Sequence, residues 1–576
     1  MERKSLSQFR YKLRAPHWLA DLIIAMTAAE RVAIGLLALA LIISGIISLT
    51  RYIQQRTELI PQSGGTYREA AVGQPRYLNP ILANANDLDV DITSLVYSGL
   101  FRHTSSFELT GDLAAAVEAS GDQKVYTIRL RDDVIWHDGE RLTADDVVFT
   151  IRSIQTPDYG SPLAATFRDV AVDKVDDTTI RFTLTEPYAP FLHNLTVGIV
   201  PEHVWAAIEP QNAPLAEQML KPVGSGPFQF AELATRRKTG DITALRLIRN
   251  ERYYGPPPYL DEIDFTFHLS HEDALVALTA GKADGVGFLP LQLLDRAAGS
   301  GRSVHRLLLP QYFGLFFNQQ KNEALRESGV RAALALVTDR PRIVAEALQG
   351  QGEPLHIPLP PRTDAEQAAL AVPGPNVEAA KQNLDESGWQ DRDGDGIREK
   401  NGRKLSLTIT TTDWPEYVRT AQLIQEQWQA IGADVNLQHL NAGTIQQTVI
   451  QPRDYDVLFF GQILPAEPDP YPFWHSSQTQ ARSPGLNLAL FKDETVDALL
   501  KDARQQADPA ARQEKLREFQ NRILDLAPAV ILYRPYYLFA TARQVRGIDA
   551  RYAALPAGRF HNIEQWHVNT QRIWRK

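Results

Sequence analysis

The feature that constrains this chain most is an uncharged apolar segment near its start. Residues 32–50 read VAIGLLALALIISGIISLT and are bracketed by Arg31 and Arg51. As an α-helix rising about 1.5 Å per residue, the segment would span roughly 28 Å, close to the ~30 Å hydrocarbon core of a bilayer. We therefore predict a transmembrane anchor over 32–50, which separates a short tail, residues 1–31, from the rest of the chain.

A cleaved signal peptide and a buried core helix are the alternatives to an anchor. The apolar part of a signal peptide usually has ~7–15 residues and precedes a small-residue cleavage site. Here the run is longer, and the LTRYIQQRTE that follows offers no such site. Lys and Arg are more frequent before the segment than just after it, and such an excess marks the cytoplasmic side. The prediction is a single-pass protein of the cell membrane, with a cytoplasmic N-terminus and an extracytoplasmic C-terminal domain.

Composition narrows the classes of function. A chain of 576 residues exceeds one ordinary hydrophobic core, so several domains are expected. The net charge of −9 and the lack of a long basic stripe argue against nucleic acid as a partner. The chain has no cysteine, which excludes disulfides, zinc–thiolate sites, thiol nucleophiles and lipid attachment at cysteine.

The segment after the anchor is predicted to alternate strands and helices. We expect a linker over 51–64 and a strand over 65–72. Strands with period-two alternation are expected at 126–130 and 178–185, and Thr143 is expected to cap a helix between them.

From Val330 onward, helices and strands alternate. Strands are expected at 405–411 and 434–440, with a helix at 417–431 between them and helices near 493–505 and 509–526. Repeated strand–helix units favour an α/β sheet.

A short apolar strand over 456–460 leads into a proline-rich loop, LPAEPDPYPFWHSS, that ends at Ser477. Proline restricts backbone freedom, so this loop should be stiff. Stiff loops that leave the end of a buried strand are usual places to hold a ligand.

Motifs along most of the chain resemble one family, the extracytoplasmic solute-binding proteins of ABC importers of the oligopeptide and dipeptide type (family 5). The segments that carry the resemblance are LNP at 78–80, SLVYSGLF at 94–101, VYTIRLRDDVIWHDGERLTADDVVFT at 125–150, VGSGPF at 223–228, RNERYYGPPPYLDEIDF at 249–265, GVRAALALVTDR at 329–340, YDVLFFG at 455–461 and DPYPFWHSSQ at 469–478.

The resemblance implies a two-lobe, Venus-flytrap α/β fold of type II that follows the transmembrane helix. Lobe I would be discontinuous and carry an inserted subdomain, and the ligand would lie between the lobes. The implied boundaries are 65–93, 200–312 and 527–576 for lobe I, 94–199 for the inserted subdomain and 313–526 for lobe II.

The resemblance also implies a binding site in which a peptide backbone pairs with main chain on both lobes, as an added strand. The corresponding positions are Ala83, Asn84, Ala85 and Asn86 in lobe I and Gly461, Gln462 and Ile463 in lobe II.

One acidic position departs from the pattern of the peptide-binding members. They carry an aspartate four residues before the proline of an acid–proline pair, and it binds the ammonium group of the peptide. Here the pair is Asp469–Pro470, and Ala466 stands at the acidic position. Glu467 or Asp469 is the possible substitute. Whether the ligand has a free amine stays open, since relatives also bind sugars, opines, metal chelates and signalling peptides.

Aromatic residues near the expected cleft allow two interpretations. Tyr312, Phe313, Tyr471 and Phe473 either line the cleft floor or belong to the core. Trp474 and His475 are the better ligand candidates because a proline-rich loop holds them.

The motif DRDGDG places Asp391, Asp393 and Asp395 at alternate positions, followed by Gly396. Oxygen ligands at this spacing suit Ca²⁺. However, the twelfth position is Gly402 rather than glutamate, although Glu399 offers a ligand at the ninth. The alternative is a solvated acidic turn, and no other cofactor is expected.

The functional expectation is a binding protein without enzymatic activity. It would capture peptides or peptide-like solutes by lobe closure and deliver them to the ABC permease subunits and their cytoplasmic ATPases. The alternatives are a sensor that signals to a membrane partner and, less favoured, a hydrolase with its site in the cleft. The sequence offers no nucleophile–base pair and no HExxH, GxSxG or Walker A motif.

Overall fold

The structure is a computed structural model that describes residues 25–83, 86–299, 301–480 and 485–574. Contacts divide the chain into two compact units. A terminal unit combines the chain up to Gln62 with the chain from Asn569 onward, and a body spans Ser63–Val568. Most of the predicted tail, residues 1–24, lies outside the described residues.

Within the described ranges, the strands are β1 Thr57–Gln62, β2 Thr66–Val72, β3 Phe101–His103, β4 Leu109–Gly111, β5 Ala114–Ala119, β6 Val125–Leu130, β7 Val170–Asp176, β8 Thr179–Leu184, β9 Phe228–Thr235, β10 Ile242–Arg249, β11 Glu262–His268, β12 Gly285–Val286, β13 Arg302–Leu308, β14 Gln311–Phe317, β15 Gly352–Pro354, β16 Glu399–Lys400, β17 Arg403–Lys404, β18 Ser406–Thr412, β19 Asp434–Leu440, β20 Val457–Ile463, β21 Ala529–Ala542 and β22 Asn569–Trp574. The α-helices span Ala28–Arg56, Asp87–Val96, Ala144–Gln155, Ala164–Phe167, Phe191–Asn194, Glu202–Trp205, His271–Thr279, Leu294–Ala297, Ser328–Val337, Arg340–Ala347, Asp364–Ala369, Val377–Glu386, Pro415–Gln429, Ala442–Ile445, Tyr471–Trp474, Glu494–Gln505 and Pro509–Leu526.

The terminal unit contains one long helix and one pair of strands. The helix Ala28–Arg56 is long and apolar enough to cross a membrane by length and composition. Thr27 caps it in a capping box with Glu30. The linker predicted over 51–64 is wrong in part. The helix continues to Arg56, and β1 follows at once and pairs antiparallel with β22. Its partner strand lies about 500 residues away in the sequence, so local pattern could not indicate the pairing.

The body is organised around one twelve-stranded sheet in the order β19-β18-β20-β14-β21-β12-β2-β11-β10-β9, to which β13 and β15 add by pairing with β21. The long strand β21 joins its two halves. The early part of β21 pairs with β14 and β15, and its later part pairs with β12 and β13.

The chain therefore passes between the two halves of the sheet at two places. The first is the short connection from β13 to β14, which contains Pro310, and the second is the middle of β21 near Pro535. Proline donates no backbone hydrogen bond, so each crossing has one N–H donor fewer than another residue would give it. This pairing differs from the predicted lobe boundary at 527, because residues 529–533 still pair with lobe II strands.

The inserted subdomain has its own four-stranded sheet, β5-β6-β8-β7. The helix Ala144–Gln155 packs against it, and Thr143 caps this helix in a capping box with Asp146, as predicted. The predicted period-two strands are confirmed as β6 and β8. Two of the pairings in this sheet, β5–β6 and β7–β8, join strands that neighbour each other in the chain.

Buried ionic groups join three parts of lobe I. The Arg559 guanidinium donates to both oxygens of Asp91 at 2.6 and 2.7 Å and to Glu69 at 3.1 Å. Glu69 lies on β2 and Asp91 on the helix Asp87–Val96, and the side chains of Arg559 and Glu69 are each about 1% exposed. This cluster holds the C-terminal segment to the region that carries the predicted lobe I binding residues.

Candidate functional site

One side of β20 is an open strand edge over its last residues. On this side β18 pairs with β20 only at Val457 and Leu458. On the other side, β14 pairs along the whole strand, and the N–H of Leu464 donates to the carbonyl of Pro310 at 2.7 Å. Backbone groups alternate in direction along an antiparallel ladder, so those of Gly461 and Ile463 point away from β14. They form an edge that accepts an added strand.

Residues at the carboxyl end of β18 border this edge, and the sequence motifs did not predict them. The Oγ1 of Thr412 is buried and has no hydrogen-bond partner among the described residues. Two positions on, Trp414 is 39% exposed at the N-cap of the helix Pro415–Gln429. Polar and aromatic residues at the carboxyl end of a strand are a usual ligand-binding arrangement in α/β sheets. This pattern is the sequence feature that could have indicated Thr412 and Trp414.

The predicted lobe II residues on β20 and β14 have different surroundings. Ile463 is 58% exposed, whereas Gln462 is buried and donates to the carbonyl of Leu486 at 3.0 Å. The buried Tyr312 hydroxyl donates to the same Gln462 side chain. The ring of Phe313 lies against Gly461, where an added Cβ would come within 2.7 Å of it. A side chain at Gly461 would therefore have to displace the Phe313 ring.

The predicted aromatic pair in the proline-rich loop is enclosed. Trp474 is 1% exposed and packs against Phe316 and Phe519 in the core of lobe II. His475 is also buried, stacks on Tyr471 at 4.1 Å between ring centroids and lies 2.8 Å from the hydroxyl of Ser477. Trp474 and His475 were the favoured ligand candidates of this loop, but both side chains are buried in this structure, and their role in binding stays a prediction.

On the lobe I side, the predicted residues precede a helix. Ala83 is buried, and the side chain of Asn86 caps the helix Asp87–Val96 by accepting from the Leu88 N–H at 3.2 Å. Asn84 and Ala85 lie outside the described residues, so their part in the site stays a prediction.

The carboxylate of Glu467 already has cationic partners. Arg362 donates to it at 2.9 Å, and Arg512 forms a second, closer contact. The Nε2 of His193, from the inserted subdomain, lies 3.9 Å away. Each oxygen of this carboxylate thus accepts from a guanidinium group, and the two cations more than balance its charge.

Asp469 is paired in a similar way. Arg504 donates to both of its oxygens, with Nη2 at 2.6 Å and Nε at 2.9 Å. The Tyr188 hydroxyl of the inserted subdomain donates to it at 3.1 Å, and the Arg504 carbonyl accepts from the Ala189 N–H at 2.8 Å. Asp469 thus holds the inserted subdomain against lobe II.

A cavity of about 420 Å³ lies in lobe I, next to the inserted subdomain and the C-terminal segment. Ala83, His103 and His193 are among its lining residues, and no described lining residue comes from lobe II. The two histidine rings meet at 3.0 Å between ring nitrogens. Burial lowers the pKa of His103 to about 4, and it lowers the pKa of His193 as well. Both rings are therefore neutral at pH 7, and one donates to the other.

The acidic motif forms an exposed loop with a compact set of carboxylates. One oxygen each from Asp391, Asp393 and Asp395 lies within 4.8 Å of the others. The Oε2 of Glu399 is enclosed and has no partner among the described residues, while its Oε1 accepts from the Arg392 N–H. The donor set fits Ca²⁺, and the calcium site stays a prediction.

A calcium titration tests this loop. We expect millimolar Ca²⁺, but not Mg²⁺, to raise the Tm of the wild type by several degrees, because a cation that binds only the folded state stabilises it. The double variant Asp391→Asn/Asp393→Asn should lose this shift, whereas Asp295→Asn, at an exposed acid elsewhere, should keep it. An unchanged Tm in the wild type would favour a solvated acidic turn.

The comparisons with known proteins agree with this architecture. A model of the bacterial extracellular solute-binding proteins, family 5 (middle region), matches residues 108–484. The oligopeptide-binding protein AppA of Bacillus subtilis is 30% identical over 522 residues, which cover 88% of this chain and 92% of the relative. The probable D,D-dipeptide-binding periplasmic protein DdpA of Escherichia coli is 26% identical, covering 82% of this chain and 89% of the relative.

Two solved structures share the fold over most of the chain. The structure of B. subtilis AppA in complex with a nonapeptide has a TM-score of 0.68 and 28% identity, covering 88% of this chain and 100% of that chain. NikZ from Campylobacter jejuni in complex with Ni(L-His) has a TM-score of 0.71 and 26% identity, covering 87% and 99%. The two-lobe α/β fold implied by the sequence motifs is thereby confirmed. The chain belongs to the family 5 bacterial extracellular solute-binding proteins.

Proposed function

We propose that this protein is the membrane-anchored receptor of an ABC importer and captures peptides or peptide-like solutes outside the cell membrane. The observation that carries the proposal is the similarity, along 88% of the chain, to a protein whose structure holds a nonapeptide. The open edge of β20 supports the same ligand class, since an extended peptide is the solute that pairs with a strand edge.

The proposed binding mode is main-chain pairing along Gly461–Ile463, with the segment around Ala83–Asn86 contributing from lobe I. Each net backbone hydrogen bond contributes about 1 kcal/mol, and a micromolar Kd corresponds to about −8 kcal/mol. A few such bonds and the burial of ligand side chains together reach that range. Main-chain pairing tolerates many side chains, so the ligand set is broad.

Lobe closure is the proposed mechanism of capture. A ligand that contacts both lobes only when they are closed stabilises the closed state by those extra contacts. Direct contacts between the lobes add to this, since Tyr188 of the inserted subdomain bonds Asp469 of lobe II. The two crossings at Pro310 and Pro535 are the proposed hinge.

We further propose that recognition does not depend on a carboxylate that binds the ligand's free amine. Glu467→Gln should weaken binding of a free-amine peptide and of its N-acetylated form by the same factor, because Glu467 serves Arg362 and Arg512. Calorimetric titration of both peptides measures this ratio, with Glu366→Gln as the control. Weakening confined to the free-amine peptide would assign Glu467 to the ammonium.

The anchor and its orientation are part of the proposal. The helix Ala28–Arg56 supports a single span, and the excess of Lys and Arg before it supports a cytoplasmic N-terminus. Because the chain has no cysteine, single-cysteine variants test this directly. In intact spheroplasts, an impermeant maleimide should label Gln571→Cys and should reach Ser5→Cys only after permeabilisation. The opposite pattern would reverse the topology.

The full chain, purified in mild detergent, tests the ligand class. Mass spectrometry of the released solutes should find peptides, and peptides added back should be recovered uncleaved, as expected of a receptor without enzymatic activity. Stimulation of the ATPase activity of the reconstituted importer by the loaded receptor would support delivery. A non-peptide solute or a cleaved peptide would overturn the corresponding part of the proposal.

A further inference from the structure

The strand pair of the terminal unit is amphipathic. In an antiparallel pair, directly opposite residues share one face, and so do residues two apart. The register places Trp574 opposite Thr57 and Arg572 opposite Leu59. These residues share one face of the pair. The other face carries Ile60 and Ile573, which are half-buried, and its exposed residues are all polar, namely Glu58, Gln62, Asn569 and Gln571.

The exposed side chains of the first face are apolar or basic, whereas Thr57 is buried and Pro61 and Thr570 are half-buried. Trp574 is 62% exposed and Leu59 is 46% exposed. Arg572 is exposed as well, and its guanidinium donates to the hydroxyl of Thr57 at 2.9 Å. Exposed Trp and Leu side chains next to a cation are typical of surfaces that lie in the headgroup region of a membrane.

The position of this face in the chain identifies its partner. β1 starts at the residue that follows the helix Ala28–Arg56, and Trp574 pairs with the first residue of β1. Near the end of the helix, Tyr52 is 53% exposed, and the Arg56 guanidinium lies 5.9 Å from the centroid of its ring. Aromatic and basic residues therefore gather where a membrane-spanning helix would leave the bilayer.

We propose that the Leu59, Arg572 and Trp574 face of the β1–β22 pair docks on the anionic headgroups of the outer leaflet, with the Trp574 indole in the interface. This inference rests on the proposed anchor. The C-terminal strand then serves as a second attachment that returns to the bilayer beside the first.

The chain joins the body to the β1–β22 pair at both ends of the body. Gln62 and Asn569 lie opposite each other at the far end of the pair, and the body begins and ends at the next residues, Ser63 and Val568. Both connections to the body therefore start from neighbouring points on one membrane-bound element. Loss of β22 leaves a single attachment through Ser63, Gly64 and Gly65.

The test uses full-length single-cysteine variants labelled with the fluorophore NBD in phosphatidylcholine/phosphatidylglycerol liposomes. The sites are Trp574→Cys on the docking face, Gln571→Cys on the opposite face and Ala38→Cys within the helix. Nitroxide on the lipid headgroup should quench the label at 574 at least twofold more than the label at 571. Nitroxide deep in the acyl chain should quench the label at 38.

The outcomes separate the inference from the anchor. Equal headgroup quenching at 574 and 571, with deep quenching at 38, would overturn the docking and leave the anchor. A label at 38 that no lipid quencher reaches would overturn the anchor and the docking with it. The effect at 574 should also weaken in liposomes of phosphatidylcholine alone, because the Arg572 side chain then lacks anionic partners.

Discussion

The variant Ile463→Pro is expected to bind peptides at least tenfold more weakly than the wild type. In the wild type, the N–H of Ile463 points to the open edge of β20. Proline removes that donor and places a ring against an incoming strand. One lost main-chain hydrogen bond costs about 1 to 1.5 kcal/mol, which is about tenfold in Kd, and the steric block adds to it. Calorimetric titration with the peptides released from the purified protein measures the loss.

Ile463→Ala is the matched control, since it shortens an exposed side chain and keeps the N–H. It should bind within about threefold of the wild type. Equal binding by both variants would contradict strand addition at this edge. Gly461 is a poorer position for such a substitution, although the sequence alone predicted it to be a binding residue. Any side chain there meets the Phe313 ring, so a charged replacement would disturb packing, and a loss of binding could not be assigned to the strand edge.

The variant Arg559→Gln is expected to destabilise the body by about 3–5 kcal/mol, because it leaves the buried carboxylates of Asp91 and Glu69 without their cation. Denaturant unfolding followed by far-UV circular dichroism measures this as a lower midpoint. The same variant should weaken peptide binding, since Asp91 lies on the helix that Asn86 caps.

Arg246→Gln is the control for the loss of a guanidinium. Arg246 forms a bidentate pair with Asp264, but its side chain is 44% exposed, and such surface pairs contribute about 0–1 kcal/mol. A similar change in midpoint for both variants would show that the buried cluster contributes no more than a surface pair.

Elements with clear local signals were predictable from the sequence. The strand 434–440 and the helix 509–526 occur at the predicted residues. Thr143 caps the helix Ala144–Gln155, as predicted. Capping residues and apolar periodicity act over one or two turns, so a single sequence carries them.

Pairings between distant segments were not predictable. The sequence of β1 alone predicts a linker, because its partner β22 lies at the other end of the chain. The apolar sequence of β21 does not indicate which of its residues pair with strands of lobe I and which with strands of lobe II. An apolar strand inside a sheet pairs with a neighbouring strand on each side. Its own residues do not specify which strands these neighbours are.

The candidate site was predictable only at the level of the main chain. Motif order located Gly461–Ile463, and the open edge of β20 is found there. The surroundings of the side chains were not predictable, because burial and ion pairing depend on segments that are far away in the sequence. The guanidinium groups that occupy Glu467 come from Arg362 and Arg512, about 105 and 45 residues away, and no local motif indicates them.

The central claim, that two lobes close on a peptide, is tested most directly by a distance across the cleft. Asp122→Cys in the inserted subdomain and Glu514→Cys in lobe II place spin labels at two exposed positions in a chain without other cysteines. Pulsed EPR should show a broad distance distribution after ligand is stripped, and a shorter, narrower one when peptide is restored. An identical distribution with and without saturating peptide would contradict the account.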